Sequence, residues 1–457
     1  MTQNPVGLQS LGNVHFIGVG GVGMSAVARI MVARGVPVSG SDAKDLPVMK
    51  DLQDAGARIH VGYAAENLGD ARTVVAGSAI RSDNPELEAA REAGLPVLHR
   101  SEALAATMGT DRVVTVAGTH GKSTTTSMVA VLLKEAGLDP SFAIGANVPA
   151  LGVNAAHGSS DIFVAEADES DGSFLNYRPL IAVVTNVEAD HLDYYGTPEA
   201  VYASFDSFAA LLPAHGVLFA CADDDGARAL AARTRAAGTT RVVSYGTAQD
   251  ADIRLHDGGP GDVRIAAYGA QYPLNLQVPG RHNALNAAAA FAVAVELDVP
   301  AESAAAALGH FTGASRRFEF KGEGRGVRVY DDYAHHPTEV RAALSAARSV
   351  AGDNKVHVLF QPHLFSRTRE FAAEFAESLG AADTALVLDI YPAREDPIPG
   401  VTSALITDRL PSGRLVAGGQ EALEAVVSAA SGGDIILTVG AGDVTAYGPR
   451  IVELLGG

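Results

Sequence analysis

Tryptophan is absent and cysteine occurs once, at Cys221, so neither an internal disulfide framework nor a multi-cysteine metal site can organise this chain. Lysine is also scarce: of 34 basic residues, only positions 44, 50, 122, 134, 321 and 355 carry it. No apolar run approaches the ~20 residues that cross a bilayer, so no membrane insertion is expected. Met1–Ser10 lacks the charged flank and apolar core of a secretion signal, and the expected location is cytoplasmic. Against the 34 basic residues stand 53 acidic ones, a formal net charge of −19. Nucleic acid is repelled at long range by such a charge, and no basic run offers it a footprint. Acidic proteins nevertheless bind anionic metabolites through local loops and metal ions, so the charge excludes little else.

The composition, 47% hydrophobic and 19% charged, is that of a folded globular protein. At roughly 150 residues per domain, the length predicts about three domains. Short apolar runs alternate with helical stretches in the first hundred residues. Val14 to Val19 reads as a strand, Met24 to Arg34 as a helix, and Val36 to Ser39 and Thr73 to Ala76 as strands. The pattern restarts at Arg112 with VVTVAG, a glycine-rich turn and a long helix from Ser123 to Ala136, then strands at Ile162 to Ala165 and Ile181 to Val184. A turn-rich, strand-like stretch from Val242 to Pro279 precedes an alanine-rich helical region, Ala284 to Leu308. A third alternation begins near Val327 and includes Val356 to Phe360, Ala385 to Leu388 and Ile435 to Val439. Such alternation predicts an α/β fold with parallel sheets covered by helices. Boundaries are expected near Gly109 and Ala314, dividing the chain into 1–109, 110–314 and 315–457.

Four groups of residues carry chemistry. In HFIGVGGVGMS, Gly18, Gly20 and Gly23 form G-x-G-x-x-G between a strand and a helix, which permits close backbone approach to a diphosphate. Asp42 follows where a ribose-binding acid stands in dinucleotide folds, so a nicotinamide or flavin dinucleotide and another diphosphate-bearing nucleotide are both compatible. In VTVAGTHGKSTTT, Gly118, Gly121, Lys122 and Ser123 have the chemistry of a shortened phosphate loop. Backbone amides would cradle phosphates, the lysine reach the terminal ones, and the serine hydroxyl ligate Mg2+. Since the loop reads as exposed, Lys122→Ala is expected to spare the fold.

Two acidic clusters, Glu166, Asp168, Glu169 and Asp171, then Glu188, Asp190, His191 and Asp193, each follow a predicted parallel strand. Ligands bind at those strand ends, and hard oxygen donors suit Mg2+. Further on, Asn283 and Asn286 stand at a helix start, where they could meet a purine edge or cap the helix. Arg316, Arg317, Asp331, Asp332, His335, His336, His363, Arg367 and Arg369 sit at element boundaries, suggesting ligand contacts.

The ordered set HFIGVGGVGMS, AGTHGKSTTT, EADESD, TNVEADHLDYYG, PGRHNALNA, RRFE, YDDYAHHPTEV and FQPHLFSRT resembles the Mur ligase family, from residue 15 to beyond 369. That resemblance implies three α/β domains: Rossmann-like at the N-terminus, a central ATP-binding domain of phosphate-loop type, and Rossmann-like at the C-terminus. It implies ATP-dependent amide formation in peptidoglycan synthesis, with Mg2+. The motif wording is closest to the branch that joins L-alanine to UDP-N-acetylmuramate, acting as a monomer or weak homodimer.

By the same resemblance, Gly18, Gly20, Gly21, Gly23, Ser41, Asp42 and Ser78 would hold the UDP part, with no redox cofactor. Gly118, Thr119, His120, Gly121, Lys122, Ser123 and Thr124 would cradle ATP, joined by Asn283, Arg317 and Asp332. Ser123, Glu166 and His191 would surround magnesium. His335, His336, His363 and Arg367 would face the muramate carboxylate, the phosphoryl group or the incoming amine, with His335 or His336 as base. The ATP residues fall in two domains, so a complete site requires both. Two departures stand out: Ser123 replaces a more usual threonine but keeps the hydroxyl, and Leu364 stands where some relatives carry arginine. Several later-acting family members use a carbamylated lysine in the central domain. No lysine lies between Lys134 and Lys321, leaving the alanine-adding branch and a related tripeptide-recycling branch.

Overall fold

The computed structural model describes residues 7–77, 79–109, 111–258, 262–393, 395–411, 413–416 and 418–456. Ser78, one of the candidate substrate residues, lies outside the described residues. The first sheet contains β1 (Val14–Ile17), β2 (Val38–Asp42), β3 (Arg58–Val61), β4 (Thr73–Ala76) and β5 (Val97–His99). All are parallel, in the order β3-β2-β1-β4-β5. The order reverses beside β1, and the crevice at such a reversal is where open α/β sheets bind ligands. The G-x-G-x-x-G turn leaves β1 at that point and leads into the helix Val22–Ala33.

The second sheet has ten strands: β6 (Arg112–Ala117), β7 (Ser141–Ala143), β8 (Ala155–Ala156), β9 (Ile162–Glu166), β10 (Ile181–Val184), β11 (Val217–Cys221), β12 (Arg241–Gly246), β13 (Ile253–Asp257), β14 (Val263–Ala267) and β15 (Ala270–Leu274). β6 lies between β9 and β10, parallel to both, so the loop after β6 is flanked by the loops after β9 and β10. Five of the six β6 residues are buried, as expected for a strand covered on both faces. The antiparallel β13–β15 meander closes one edge. The third sheet has β16 (Glu319–Gly324), β17 (Val327–Asp332), β18 (Val356–Phe360), β19 (Thr384–Val387), β20 (Gly413–Leu415) and β21 (Ile435–Val439), ordered β16-β17-β21-β18-β19-β20. Only the β16–β17 pair in it is antiparallel. Three mostly parallel sheets thus give the expected three-domain α/β architecture. They fall into two compact units: 1–276 with 285–311, which holds the first two sheets, and 277–284 with 312–457, which holds the third.

Local chemistry explains where the elements differ from the sequence reading. β1 stops at Ile17, and its following helix starts at Val22, because Gly18 turns with φ 79°. β2 begins at Val38 rather than Val36, since Pro37 has no N–H for the sheet and offers its carbonyl to Val14 instead (2.9 Å). The alanine-rich region is two helices, Arg281–Glu296 and Ala301–Ala307. Asp298 there adopts φ 67° and Pro300 caps the second helix, since proline disfavours helical backbone just before it.

A buried polar knot ties β18 to β21 at their amino ends. Asp434 accepts the backbone N–H groups of Lys355 (2.9 Å) and Ser431 (2.8 Å), and its second oxygen also lies 3.2 Å from His357 Nε2. Burial works against the carboxylate, but these two backbone donors and His357 hold Asp434 below its usual range. Asp434→Ala should cost about 1–3 kcal/mol by stranding buried donors. A carboxylate with a depressed pKa stabilises above the unfolded pKa and loses that effect as pH falls through the folded one. The Tm gap between variant and parent should therefore be largest near neutral pH and shrink on acidification below the ordinary aspartate range.

Candidate active site

The phosphate-loop candidate runs from the end of β6 through Gly118–Gly121 into the helix Lys122–Glu135. Its shape is imposed by the neighbouring strand. Thr119 N–H donates to Asn186 O (3.2 Å), His120 N–H to Asn186 Oδ1 (2.8 Å), and Thr185 Oγ1 to His120 O (2.6 Å). Gly118 has φ 130°, and a Cβ there would run into the Thr185 hydroxyl. Gly121 has φ 81°, with Asn286 Oδ1 2.9 Å from where a Cβ would stand. Both glycines are therefore required by conformation and by space. No side chain caps the helix, which leaves its first amides to the loop concavity. Anions are favoured at such a helix end.

Lys122 is not exposed as the sequence reading expected; its side chain is 13% accessible. The ammonium donates to Gly118 O (2.7 Å), Thr119 O (3.1 Å) and Glu169 Oε1 (2.8 Å). Burial works against its charge, but the carboxylates of Glu169 and Asp168, with Glu166 further off, raise its pKa above the ordinary lysine value. Lys122 therefore stays protonated. Removing it would strand buried carboxylates, so Lys122→Ala is expected to destabilise the fold rather than spare it.

Glu169 was read only as one member of an acidic run, yet it is 1% exposed and bridges the site. Its Oε1 also lies 3.7 Å from His191 Nε2, and no donor among the described residues reaches its buried Oε2. Burial raises its pKa against the pull of Lys122. Glu166 ends β9 and accepts the Gly145 N–H (2.8 Å). His191 has φ 56° just after the β10 loop, and its Nε2 is 3.7 Å from Asp190 Oδ2. Glu188 on the same loop lies 3.5 Å from His120. Ser123 is buried in the first turn of the Lys122–Glu135 helix. The loops after β6, β9 and β10 thus bring Lys122, Ser123, Glu166, Glu169 and His191 to the carboxyl end of one sheet. Of Asp193 only the backbone is described.

The first glycine loop sits on a buried network that the sequence reading missed. Glu86 is fully buried and accepts from Asn67 Nδ2 (2.7 Å), Ala64 N–H (3.2 Å) and the Ser41 hydroxyl, with His15 Nε2 at 3.3 Å. Burial raises its pKa, but the hydrogen bonds from His15, Ser41 and Asn67 prevail and lower it overall. Ser41 is thereby engaged by Glu86, while its carbonyl accepts Gly18 N–H and Val19 N–H (2.8 Å each). Asp42 Oδ2 accepts the Gly20 N–H (3.0 Å), so this acid shapes the glycine loop itself. Only a glutamate following an asparagine helix cap, NPE, hinted at this network in the sequence.

The second unit carries the remaining candidates. Asp332 ends β17, where its two oxygens accept Ala334 N–H and Phe318 N–H (2.8 Å each). Burial pushes its pKa up to about 6 against the opposing pull of Arg317, with Glu339 adding to the rise. Arg316 and Arg317 both lie over the Tyr333 ring, 4.8 and 5.2 Å from its centroid. His335 Nδ1 is 3.1 Å from Tyr333 O, and burial lowers its pKa to about 3. His336 caps the helix Pro337–Ala351 in a capping box with Glu339. The His363 ring stands edge-on to His335 (5.8 Å) and stacks on Tyr391 (5.9 Å). Arg367 is buried in the helix Phe365–Glu370, just after Leu364, which adopts φ 70°. Asn283 Nδ2 donates to Pro279 O (2.7 Å), while Asn286, in the first unit, stands against Gly121.

Parallel sheets with glycine loops at their carboxyl ends, a buried lysine and facing carboxylates define an α/β protein that handles nucleotide phosphates. Family models match three consecutive segments: the Mur ligase family catalytic domain over residues 13–112, the Mur ligase middle domain over 116–294, and the Mur ligase glutamate ligase domain over 316–442. The chain is 83% identical over 457 residues, all of both chains, to the UDP-N-acetylmuramate–L-alanine ligase of Paenarthrobacter aurescens (strain TC1). It is 80% identical to that of Arthrobacter sp. (strain FB24), covering 98% of this chain and 96% of the relative. Among solved structures, the UDP-N-acetylmuramate–alanine ligase of Thermotoga maritima superposes with a TM-score of 0.78 at 29% identity, covering 97% of this chain and 99% of the other. A murein peptide ligase of Psychrobacter arcticus 273-4 gives a TM-score of 0.71 at 26% identity, covering 97% and 98%. The chain belongs to the Mur ligase family.

The raised pKa of Asp332 generates a pH prediction. Its carboxylate is ionised above about pH 6 and protonated below. If ionised Asp332 serves the nucleotide, kcat/KM for ATP should fall on acidification with an apparent pKa near 6. Asp332→Asn should lack that limb and stay low throughout. A flat parental profile between about pH 5 and 7 would remove Asp332 from the nucleotide site.

Proposed function

We propose that this chain is an ATP-dependent ligase that joins L-alanine to UDP-N-acetylmuramate in peptidoglycan synthesis. The observation that carries this reading is its full-length likeness to alanine-adding relatives, supported by the buried Lys122 in a loop built for phosphates. The proposed domains are 1–109 for the UDP-bearing substrate, 110–314 for ATP, and 315–457 for the amino acid and the nucleotide. With ATP and a nucleotide-linked sugar as substrates, the enzyme works in the cytoplasm, as a monomer or weak homodimer.

A carboxylate does not condense with an amine in water until it is activated. An oxygen of the lactoyl carboxylate attacks the γ-phosphorus of ATP, ADP leaves, and an acyl phosphate forms. The deprotonated amine of L-alanine then attacks the acyl carbon, and phosphate leaves with the C–O electron pair. Lys122 exchanges its Glu169 contact for phosphate oxygens and neutralises charge as it moves between them. Gly118, Thr119, His120, Gly121 and Thr124 offer the surrounding loop and helix start, while Asn283, Arg317 and Asp332 meet the nucleotide. Mg2+ fits the donor set of Ser123, Glu166 and His191, beside the buried Glu169 oxygen that no donor among the described residues satisfies. When bound, it would offset phosphate charge. His363 and Arg367 orient the carboxylates, Arg367 as a fixed cation. Burial keeps His335 weakly basic, and either His335 or His336 would take up the amine proton.

Phosphate release should require ATP, L-alanine and UDP-N-acetylmuramate together; release with any one omitted would contradict the reading. Lys122→Arg keeps the buried charge but misplaces it, so the variant should stay folded and lose on the order of a hundredfold in kcat. Lys122→Ala should lose activity as well and unfold earlier, by about 3–5 kcal/mol. Near-parental turnover in folded Lys122→Arg would show that this lysine does not act on the phosphates.

A further inference from the structure

We infer that Arg100 is a diphosphate-binding residue, which completes the first glycine loop as an anion site with a side-chain cation. The inference deepens the reading that this loop takes the UDP part of the substrate, and it rests on that reading.

The first observation is steric. Gly23 is the second residue of the Val22–Ala33 helix, and a Cβ there would lie 2.9 Å from Arg100 Cδ, 3.0 Å from a terminal nitrogen and 3.2 Å from Cζ. The guanidinium is therefore laid across the start of that helix. The last glycine of the G-x-G-x-x-G pattern makes room for it.

The second observation is electrostatic. Helix amino ends carry partial positive charge and favour anions. Gly21, which caps the Val22–Ala33 helix, offers no side chain to its free amides. Arg100 is also the first residue of its own helix, Arg100–Met108, whose cap is His99. One cation is thus placed beside the uncapped start of the Val22–Ala33 helix, while its own helix is already capped by His99 and Glu102. Glu102 makes its hydrogen bond to the His99 N–H (2.7 Å) in the capping box and not to Arg100. Asp42 is committed to the Gly20 N–H (3.0 Å). No hydrogen bond or ion pair joins the Arg100 guanidinium to any other described residue. Arg100 is itself partly buried. The uncapped start of the Val22–Ala33 helix and a partly buried guanidinium together favour an anion, and no acid among the described residues is ion-paired to Arg100. An anion with several oxygens satisfies both at once, and arginine engages phosphate oxygens in pairs. In a substrate made of uridine, diphosphate and sugar, only the diphosphate has that chemistry.

The test compares UDP with uridine on the intact chain by calorimetry. Arg100→Ala should weaken UDP about tenfold or more, as expected for losing a charge-assisted pair, and leave uridine within about twofold. Arg100→Lys, which keeps the charge but not the fork, should fall between, and it carries the test if Arg100→Ala does not fold. ATP affinity should be unchanged in both. Unaltered UDP binding in the arginine variants, or equal weakening of UDP and uridine, would overturn the inference. Gly20→Leu separates the two layers of the argument: if it abolishes UDP binding while Arg100→Ala does not, the loop reading stands and the Arg100 inference fails. If Gly20→Leu leaves UDP binding intact, the loop reading itself fails.

Discussion

One ammonium group sets the terms of the central site. Lys122 is buried with three carboxylates influencing it, and it spends its three N–H donors on two loop carbonyls and Glu169. A single positive charge does not balance Glu166, Asp168 and Glu169, and the low dielectric of the interior magnifies the excess. In the proposed reading that excess would favour a further cation, and a cation accompanied by phosphates would bring the anionic partners that Lys122 needs in exchange. The same pair makes the loop rigid, because its lysine is anchored back onto Gly118 and Thr119.

Rigidity at the loop is borrowed from the sheet. Thr185 and Asn186 follow directly on β10, beside β6, and these two residues hold Thr119 and His120 through four hydrogen bonds. If the loop takes phosphates as proposed, its amides are already aimed before any ligand arrives, so binding would not have to order them. The first glycine loop follows the same logic with different parts. Asp42 fixes Gly20, the Ser41 carbonyl fixes Gly18 and Val19, and Glu86 fixes Ser41 from below. In each domain the glycines allow the turn, but polar side chains on adjacent strands determine its shape.

Much of this was legible along the chain. VVTVAG followed by GTHGKS reads as a strand, a glycine turn and a helix start, because glycine spacing acts locally. The acidic runs after β9 and β10 were legible as candidates, because each follows a strand, and the strand order places their ends on either side of the loop after β6. What stayed hidden were residues whose role depends on a partner far away in sequence. Glu169 is one acid among four until it meets Lys122, 47 positions earlier. Glu86 looks like a helix-start glutamate until it reaches His15 and Ser41. The supposed exposure of Lys122 failed for the same reason, since burial is decided by what folds over a loop.

The sequence by itself determined the three α/β alternations, the positions of both glycine loops and the inventory of acids and histidines, because periodicity and turn chemistry are encoded within a few residues. The tertiary structure alone decided which of those groups are charged and whom they face. Asp332 is raised to about 6 and His335 lowered to about 3 by burial, an effect that belongs to the packed interior and to no short stretch of chain.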